Sequence, residues 1–185
     1  MVIKQNLLWR TRTYLVGNME NVTSVEGTGW RDWISVPLEK MGVVVYNPFK
    51  KPFLQDVKEG PQEVRDNLYS RNSGDYDILA TKMKEIRSYD LNLVDRSDFL
   101  IAHINPTVAS WGSAEELVTG VREKKPIFLS IEGGKKNCPL WIFGMFPHKY
   151  IYYSPSDVLE TLIRIDNGEI PIDSNRWKLL RKEWR

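Results

Sequence analysis

Short runs of β-favouring residues alternate with helix-patterned stretches along almost the whole chain, and this alternation restricts the fold more than any other feature. Tyr14-Leu-Val16 leads into Gly17 as a first strand. Residues 30–41 space Trp30, Trp33, Ile34, Leu38 and Met41 as one face of a helix, with Pro37 as a bend and Gly42 as the stop. Val43-Val-Val-Tyr46 is a compact strand closed by Asn47-Pro48. A helix over 78–94, a strand over 99–104, a helix over 114–124 and strands over 126–131 and 150–153 follow. Ser154-Pro-Ser-Asp157 opens a last helix that reaches Ile165. The order predicts an α/β fold: a doubly wound parallel sheet of about five strands, Rossmann/flavodoxin-like, with helices on both faces.

The 185 residues suit one domain, 1–185, and a hydrophobic share of 42% is enough for one sizeable core. The formal net charge is only +2, too balanced for a surface that grips polymeric nucleic acid. Cys138 is the single cysteine, which excludes an internal disulfide. With His103 and His148 as the two histidines, no thiol-rich or imidazole-rich metal site is expected, and no cofactor. The apolar runs at 99–102 and 140–143 are far shorter than a membrane span, and the first residues lack a signal-peptide pattern. The expectation is a cytoplasmic protein that avoids membranes.

Two stretches stand apart. Residues 49–75 mix charges of both signs with Pro52, Gly60, Pro61 and the loop-like Ser70-Arg-Asn-Ser-Gly74. So long a connection is read as a lid over the site or as a surface insertion with a short helix near 63–69. Residues 174–185 form a basic aromatic tail: from Arg176 to Arg185 there are five basic residues and one acid. Trp177, Leu180 and Trp184 fall at helical spacing, so the tail either docks on a neighbouring subunit, makes a weak nucleic-acid contact or packs on its own domain.

In sheets of this class ligands bind at the carboxyl ends of the strands, and four features are expected to gather there. Gly17-Asn18-Met19-Glu20 follows the first strand, where glycine lets a ligand approach the backbone; a plain turn is the alternative. Neither a dinucleotide fingerprint nor a Walker A loop is present. Asn47 follows the second strand and either bonds a base or sugar or forms an Asx turn. Asp90 precedes the third strand, with Leu91 and Val94 packed inward, and lies at one end of the sheet or solvated on its helix. Asp95 and Asp98 read as turn residues.

The fourth feature is Trp111-Gly112-Ser113-Ala-Glu-Glu116-Leu, where glycine and serine open a helix with Ala114, Leu117, Val118 and Val121 as its buried stripe. Glu115 and Glu116 both lie off that stripe, and the helical wheel does not choose between them. Ser113-Ala-Glu-Glu116 also has the spacing of a capping box, in which Ser113 caps the helix and Glu116 needs no chemistry.

Taken in order, Tyr14-Leu-Val-Gly-Asn-Met19, a helix bearing Trp30 and Arg31, Val45-Tyr-Asn-Pro48, Asp90-Leu, and Gly112-Ser-Ala-Glu-Glu116-Leu followed by Lys125-Pro126 resemble the nucleoside 2-deoxyribosyltransferase family over residues 12–153. Some relatives in that family hydrolyse deoxynucleoside monophosphates. Glu116 follows Asp90 by 26 positions, similar to the family's spacing between its assisting aspartate and its nucleophilic glutamate. The resemblance thus implies Glu116 as nucleophile and Asp90 as its assistant. It further implies substrate contacts from Gly17, Asn18, Met19, Trp30, Arg31, Asn47, Ser110, Trp111, Gly112 and Ser113. Where the family often carries an aspartate before the glycine, this chain has Ser110 as the nearest polar side chain. A later asparagine from a neighbouring subunit often completes the family's site; Asn137 matches it, and a homo-oligomer is expected.

The chemistry fits two carboxylates. Breaking an N-glycosidic bond develops oxocarbenium character at C1′, which a carboxylate stabilises or attacks to form a glycosyl-enzyme intermediate. The departing base accepts a proton from a nearby acid. The sequence therefore predicts deoxyribosyl transfer between bases, with hydrolysis of a 2′-deoxynucleoside 5′-monophosphate as the first alternative and a non-catalytic nucleotide-binding module as the second.

Overall fold

The computed structural model describes residues 6–19, 24–50, 61–145, 147–172 and 175–177. Its strands are β1 (Arg12–Gly17), β2 (Val44–Tyr46), β3 (Phe99–Ile104), β4 (Ile127–Ile131) and β5 (Ile151–Tyr152). They form one parallel sheet in the order β2-β1-β3-β4-β5, which is flavodoxin-like. The helices are α1 (Ser24–Lys40), α2 (Pro61–Ser73), α3 (Tyr76–Arg96), α4 (Trp111–Arg122) and α5 (Pro155–Asp166). Three 3₁₀ turns, Gly134–Asn137, Leu140–Gly144 and His148–Tyr150, take the place of a helix between β4 and β5.

The central strands are covered on both faces, so their sequences are almost continuously apolar. On one face Leu15, Ile101 and Phe128 pack with Ile34 and Leu38 of α1 and with Val158, Leu162 and Ile165 of α5. On the other, Tyr14, Val16, Leu100 and Leu129 pack with Leu93 and Val94 of α3 and Leu117 of α4. Among the described residues no helix is long and apolar enough to cross a membrane.

Helix α1 begins six residues before its apolar pattern does, and its buried stripe differs from the expected one. Trp33 is half exposed, whereas Arg31 is fully buried beside Ile34 and Leu38. Pro37 remains inside the helix, and Gly42, at φ 81°, ends it where a side chain would strike the Trp9 ring. Within the 49–75 stretch, residues 61–73 are helix α2, which contains the short helix expected near 63–69. The remaining part of the lid reading, 51–60, lies outside the described residues.

Two polar anchors hold the amino ends of the strands, away from the site. The Asp98 carboxylate accepts bonds from the Arg12 backbone N–H at 2.7 Å and from its guanidinium at 3.1 and 3.2 Å, joining β1 to β3. Lys125 donates to the carbonyls of Val94, Asp95 and Ser97 at 2.6–2.8 Å, so its ammonium closes the carboxyl end of α3. Trp177 returns to the chain's own core, against Phe99 and Phe128 at ring distances of 5.3 and 5.9 Å. This favours the packing role for that part of the tail; 178–185 lie outside the described residues.

Candidate active site

The chain leaves β1 for α1 on one face and β3 for α4 on the other, so the two loops diverge and open a crevice at the carboxyl ends. Alternation along β1 points Tyr14 to the α3/α4 face. There its hydroxyl donates to Glu116 Oε1 at 2.8 Å. Glu116 is 9% exposed and Asp90 of α3 is 7% exposed, so both carboxyl groups are buried on this face. Burial of that kind requires hydrogen-bond partners, and Tyr14 is one.

Asp90 belongs to the buried edge of α3 with Leu93 and Val94, not to a solvated helix face. Glu115 points outward and is held by Arg87, whose Nε donates at 2.7 Å and whose Nη2 also bonds the carboxylate. That hydrogen bond holds the Glu115 carboxyl below its ordinary value. Tertiary packing thus separates two glutamates that the helical wheel left equivalent.

The capping box does not form. Helix α4 starts at Trp111 with Ser110 as its N-cap, and Glu116 is the sixth helical residue, too far along to cap. Ser113 is buried within the first turn, where its hydroxyl accepts from that of Ser110 at 2.8 Å. The helix begins earlier than its serine suggests because Trp111 and Gly112 continue the helical backbone at the solvent surface. Trp111 is 88% exposed, and a Cβ on Gly112 would meet no described residue within 4 Å.

The other expected residues divide between the two sides of the crevice. On the α1 side, Gly17 stands opposite His103. A Cβ on Gly17 would lie 2.8 Å from Arg31 Nη2 and from the His103 carbonyl, and 3.1 Å from Trp30. The glycine is required by this packing. Arg31 Nε donates to the Leu15 carbonyl at 3.2 Å, Nη1 bonds the Gly27 carbonyl, and the guanidinium carbon lies 4.7 Å from the Trp30 ring centroid and 5.3 Å from that of Phe49. The Trp30 edge meets the His103 ring at 5.4 Å. Burial, then the charge of Arg31, pull His103 down to about 4, while its bond to Ser130 opposes them.

Asn47 forms the Asx turn: its Oδ1 accepts from the Phe49 N–H at 3.0 Å, and its buried Nδ2 meets no hydrogen-bond partner among the described residues. Lys50 pairs with Asp32 at 2.7 Å; Glu20 and Lys51 lie outside the described residues. Met19 is half-buried. Asn18 is buried and bonded to the loop after β3. Asn137 is exposed and donates to the Glu132 carbonyl of its own loop at 3.3 Å. Among the described residues no group of three or more His, Cys, Asp or Glu side chains is placed to hold a metal ion.

Sequence reasoning missed Tyr14 and His103 as parts of this region. The available signal for Tyr14 was a hydroxyl at a core-facing position of a central strand, two residues before Val16 on the same face.

No protein-family model matches the chain, and no curated protein matches it. Among solved structures it is similar to the CMP N-glycosidase BcmB of Clostridium botulinum. The likeness spans 82% of this chain and 98% of that one, at 16% identity and a TM-score of 0.46.

Proposed function

We propose that this chain is an enzyme that cleaves the N-glycosidic bond of a 2′-deoxyribonucleoside and transfers the deoxyribosyl group to another base, with Glu116 as nucleophile. The observation that carries the proposal is the bond from Tyr14 to Glu116: a buried carboxylate, at the ligand-binding end of an α/β sheet, oriented by a tyrosine and engaged in no helix cap. Holding a nucleophile in its attacking geometry is a large part of what an active site supplies.

In the first step a Glu116 carboxylate oxygen bonds to C1′ as the C1′–N bond breaks. The electron pair goes to the base nitrogen, and the base takes up a proton. Asp90, buried on the same face, positions the carboxylate or supplies that proton. A nitrogen of the second base then attacks C1′, releasing Glu116 and its own proton; water in that role gives hydrolysis. A 5′-monophosphate would place its phosphate at the start of α4, whose first turn has no acidic residue. Trp30 or Trp111 would stack on a base. A homo-oligomer, with Asn137 near a subunit contact, belongs to the same reading.

The test is incubation with a panel of deoxynucleosides and deoxynucleoside monophosphates, with and without a second free base, followed by product separation. Exchange of bases is the expected result. Release of free sugar or sugar phosphate regardless of added base would establish hydrolysis instead. No turnover, with nucleotides raising the melting temperature, would establish a binding module.

A further inference from the structure

The β1–β3 ladder ends at Gly17 opposite His103. One residue further, Asn18 is 6% exposed, and its carboxamide reaches across the crevice. Nδ2 donates to the Val108 carbonyl at 3.0 Å, and Oδ1 accepts from the Asn105 N–H at 2.8 Å. Both ends of the amide engage the loop that carries the chain from β3 into α4, and the two partners fix which end is oxygen. Asn105 turns the same loop, since its own Oδ1 accepts from the Thr107 N–H at 2.9 Å and the Thr107 hydroxyl at 2.6 Å. Ser110, the N-cap of α4, follows directly, and Glu116 comes six residues after it.

We infer that Asn18 is a positioning residue, which locks the 105–108 loop onto the end of β1 and so sets where α4 presents Glu116. Strand β1 and the residue just beyond it then support the nucleophile at two places: Tyr14 binds the carboxylate itself, and Asn18 binds the loop that starts its helix. Other side chains fail in this place for identifiable reasons. Aspartate has no donor for the Val108 carbonyl, and serine cannot span both partners. Glutamine is one methylene too long for a buried site. The substrate-binding role expected for Asn18 is a separate claim, since Nδ2 has a second N–H and Oδ1 a second lone pair beyond those that serve the loop. The catalytic consequence rests on the proposed function; the clamp itself does not.

Asn18→Ala and Asn18→Asp separate these claims. Hydrogen–deuterium exchange is followed over residues 105–114, with the β1 and β3 amides as internal reference. Steady-state kinetics use the nucleosides that the wild type turns over. In Asn18→Ala the Asn105 amide should lose protection and the 105–114 segment should exchange at least about tenfold faster, with the strands unchanged. Its kcat and kcat/KM should fall together, by about 100-fold, with KM little altered, as expected for a displaced nucleophile. Asn18→Asp keeps the acceptor for Asn105 but sets a second acceptor oxygen against the Val108 carbonyl, so it too should exchange faster than wild type over 105–114 and lose kcat. Wild-type exchange over 105–114 in Asn18→Ala would overturn the clamp. A raised KM with unchanged kcat would overturn the positioning role and return Asn18 to substrate contact. If the wild type turns over no nucleoside, the proposed function fails, and the exchange data still decide the clamp.

Discussion

The hydroxyl of Tyr14 donates to Glu116 Oε1 at 2.8 Å, joining the middle of β1 to the first half of α4 across 102 positions of sequence. The bond is buried, so it is neither screened by salt nor exchanged readily for water. It fixes the orientation of a carboxylate at the mouth of the sheet. Tyr14→Phe removes the hydroxyl and preserves the ring. A hydrogen bond to a charged group contributes about 1.5–3 kcal/mol, so kcat should fall about 10- to 100-fold with little change in KM. Steady-state kinetics on the best substrate of the panel make the measurement; unchanged kcat would remove Tyr14 from the machinery.

Glu116→Gln keeps an oxygen that accepts from Tyr14 and removes the negative charge. Turnover should fall by orders of magnitude, while the melting temperature shifts little because α4 does not use Glu116 as a cap. Glu115→Gln is the control. It breaks only the surface pair with Arg87, so stability should change by less than about 1 kcal/mol and turnover should persist. Mass spectrometry of the wild type quenched during turnover should place a glycosyl adduct on Glu116. Wild-type turnover in Glu116→Gln would refute the nucleophile assignment.

Lys125 should matter to stability without touching the chemistry. Its ammonium serves three carbonyls at the end of α3. Lys125→Met leaves them without that donor and should destabilise the fold by about 1–3 kcal/mol. Denaturant unfolding measures the loss, and kcat well below the melting temperature should match the wild type.

The burial of His103 predicts a pH dependence of stability. Its folded value is about 4, below the ordinary imidazole value of about 6.5. Between the two, the unfolded chain binds more protons than the folded one, so stability rises with pH across this window. Stability is fully present above the unfolded value and is lost as pH falls toward 4. Arg31 keeps its charge throughout, and Glu132 lies 3.8 Å from the imidazole Nε2. His103→Gln should flatten the profile by up to about 3 kcal/mol between its ends. Parallel unfolding curves for both proteins test this, and identical slopes would contradict it.

The homo-oligomer proposed above, with Asn137 near its contact, gains a second candidate surface in exposed apolar side chains. Trp177 is buried in its own core, whereas Leu140 and Trp141 are 88% and 84% exposed on a 3₁₀ turn. Light scattering at micromolar concentration should show a dimer or larger assembly, and Trp141→Glu should shift it toward monomer. A wild-type monomer that turns over substrate would exclude a site shared between subunits.

The order of elements was written in the sequence, because periodicity reports which face of an element avoids water. Strand β3, buried on both faces and bounded by turn residues, runs from Phe99 to Ile104 as its apolar run predicts. Periodicity misjudged α1, where Trp33 looked buried and Arg31 did not. A buried guanidinium depends on carbonyls and aromatic rings brought from elsewhere: Leu15, Gly27, Trp30 and Phe49. It misjudged the start of α4 too, because a serine followed at three by a glutamate imitates a capping box whatever the chain does upstream.

At the candidate site, residue types and their order pointed to two carboxylates. The helical wheel left Glu116 and Glu115 equivalent and the family resemblance chose Glu116; the tertiary structure gives the two different partners, Tyr14 from β1 for one and Arg87 from α3 for the other. Local spacing shows only where apolar side chains gather: α4 buries Ser113, Glu116, Leu117 and Gly120, while Ala114 and Val118 of its expected stripe are exposed. What a helix face meets is decided by strands and helices scores of residues away, and their approach exists only once the sheet has formed.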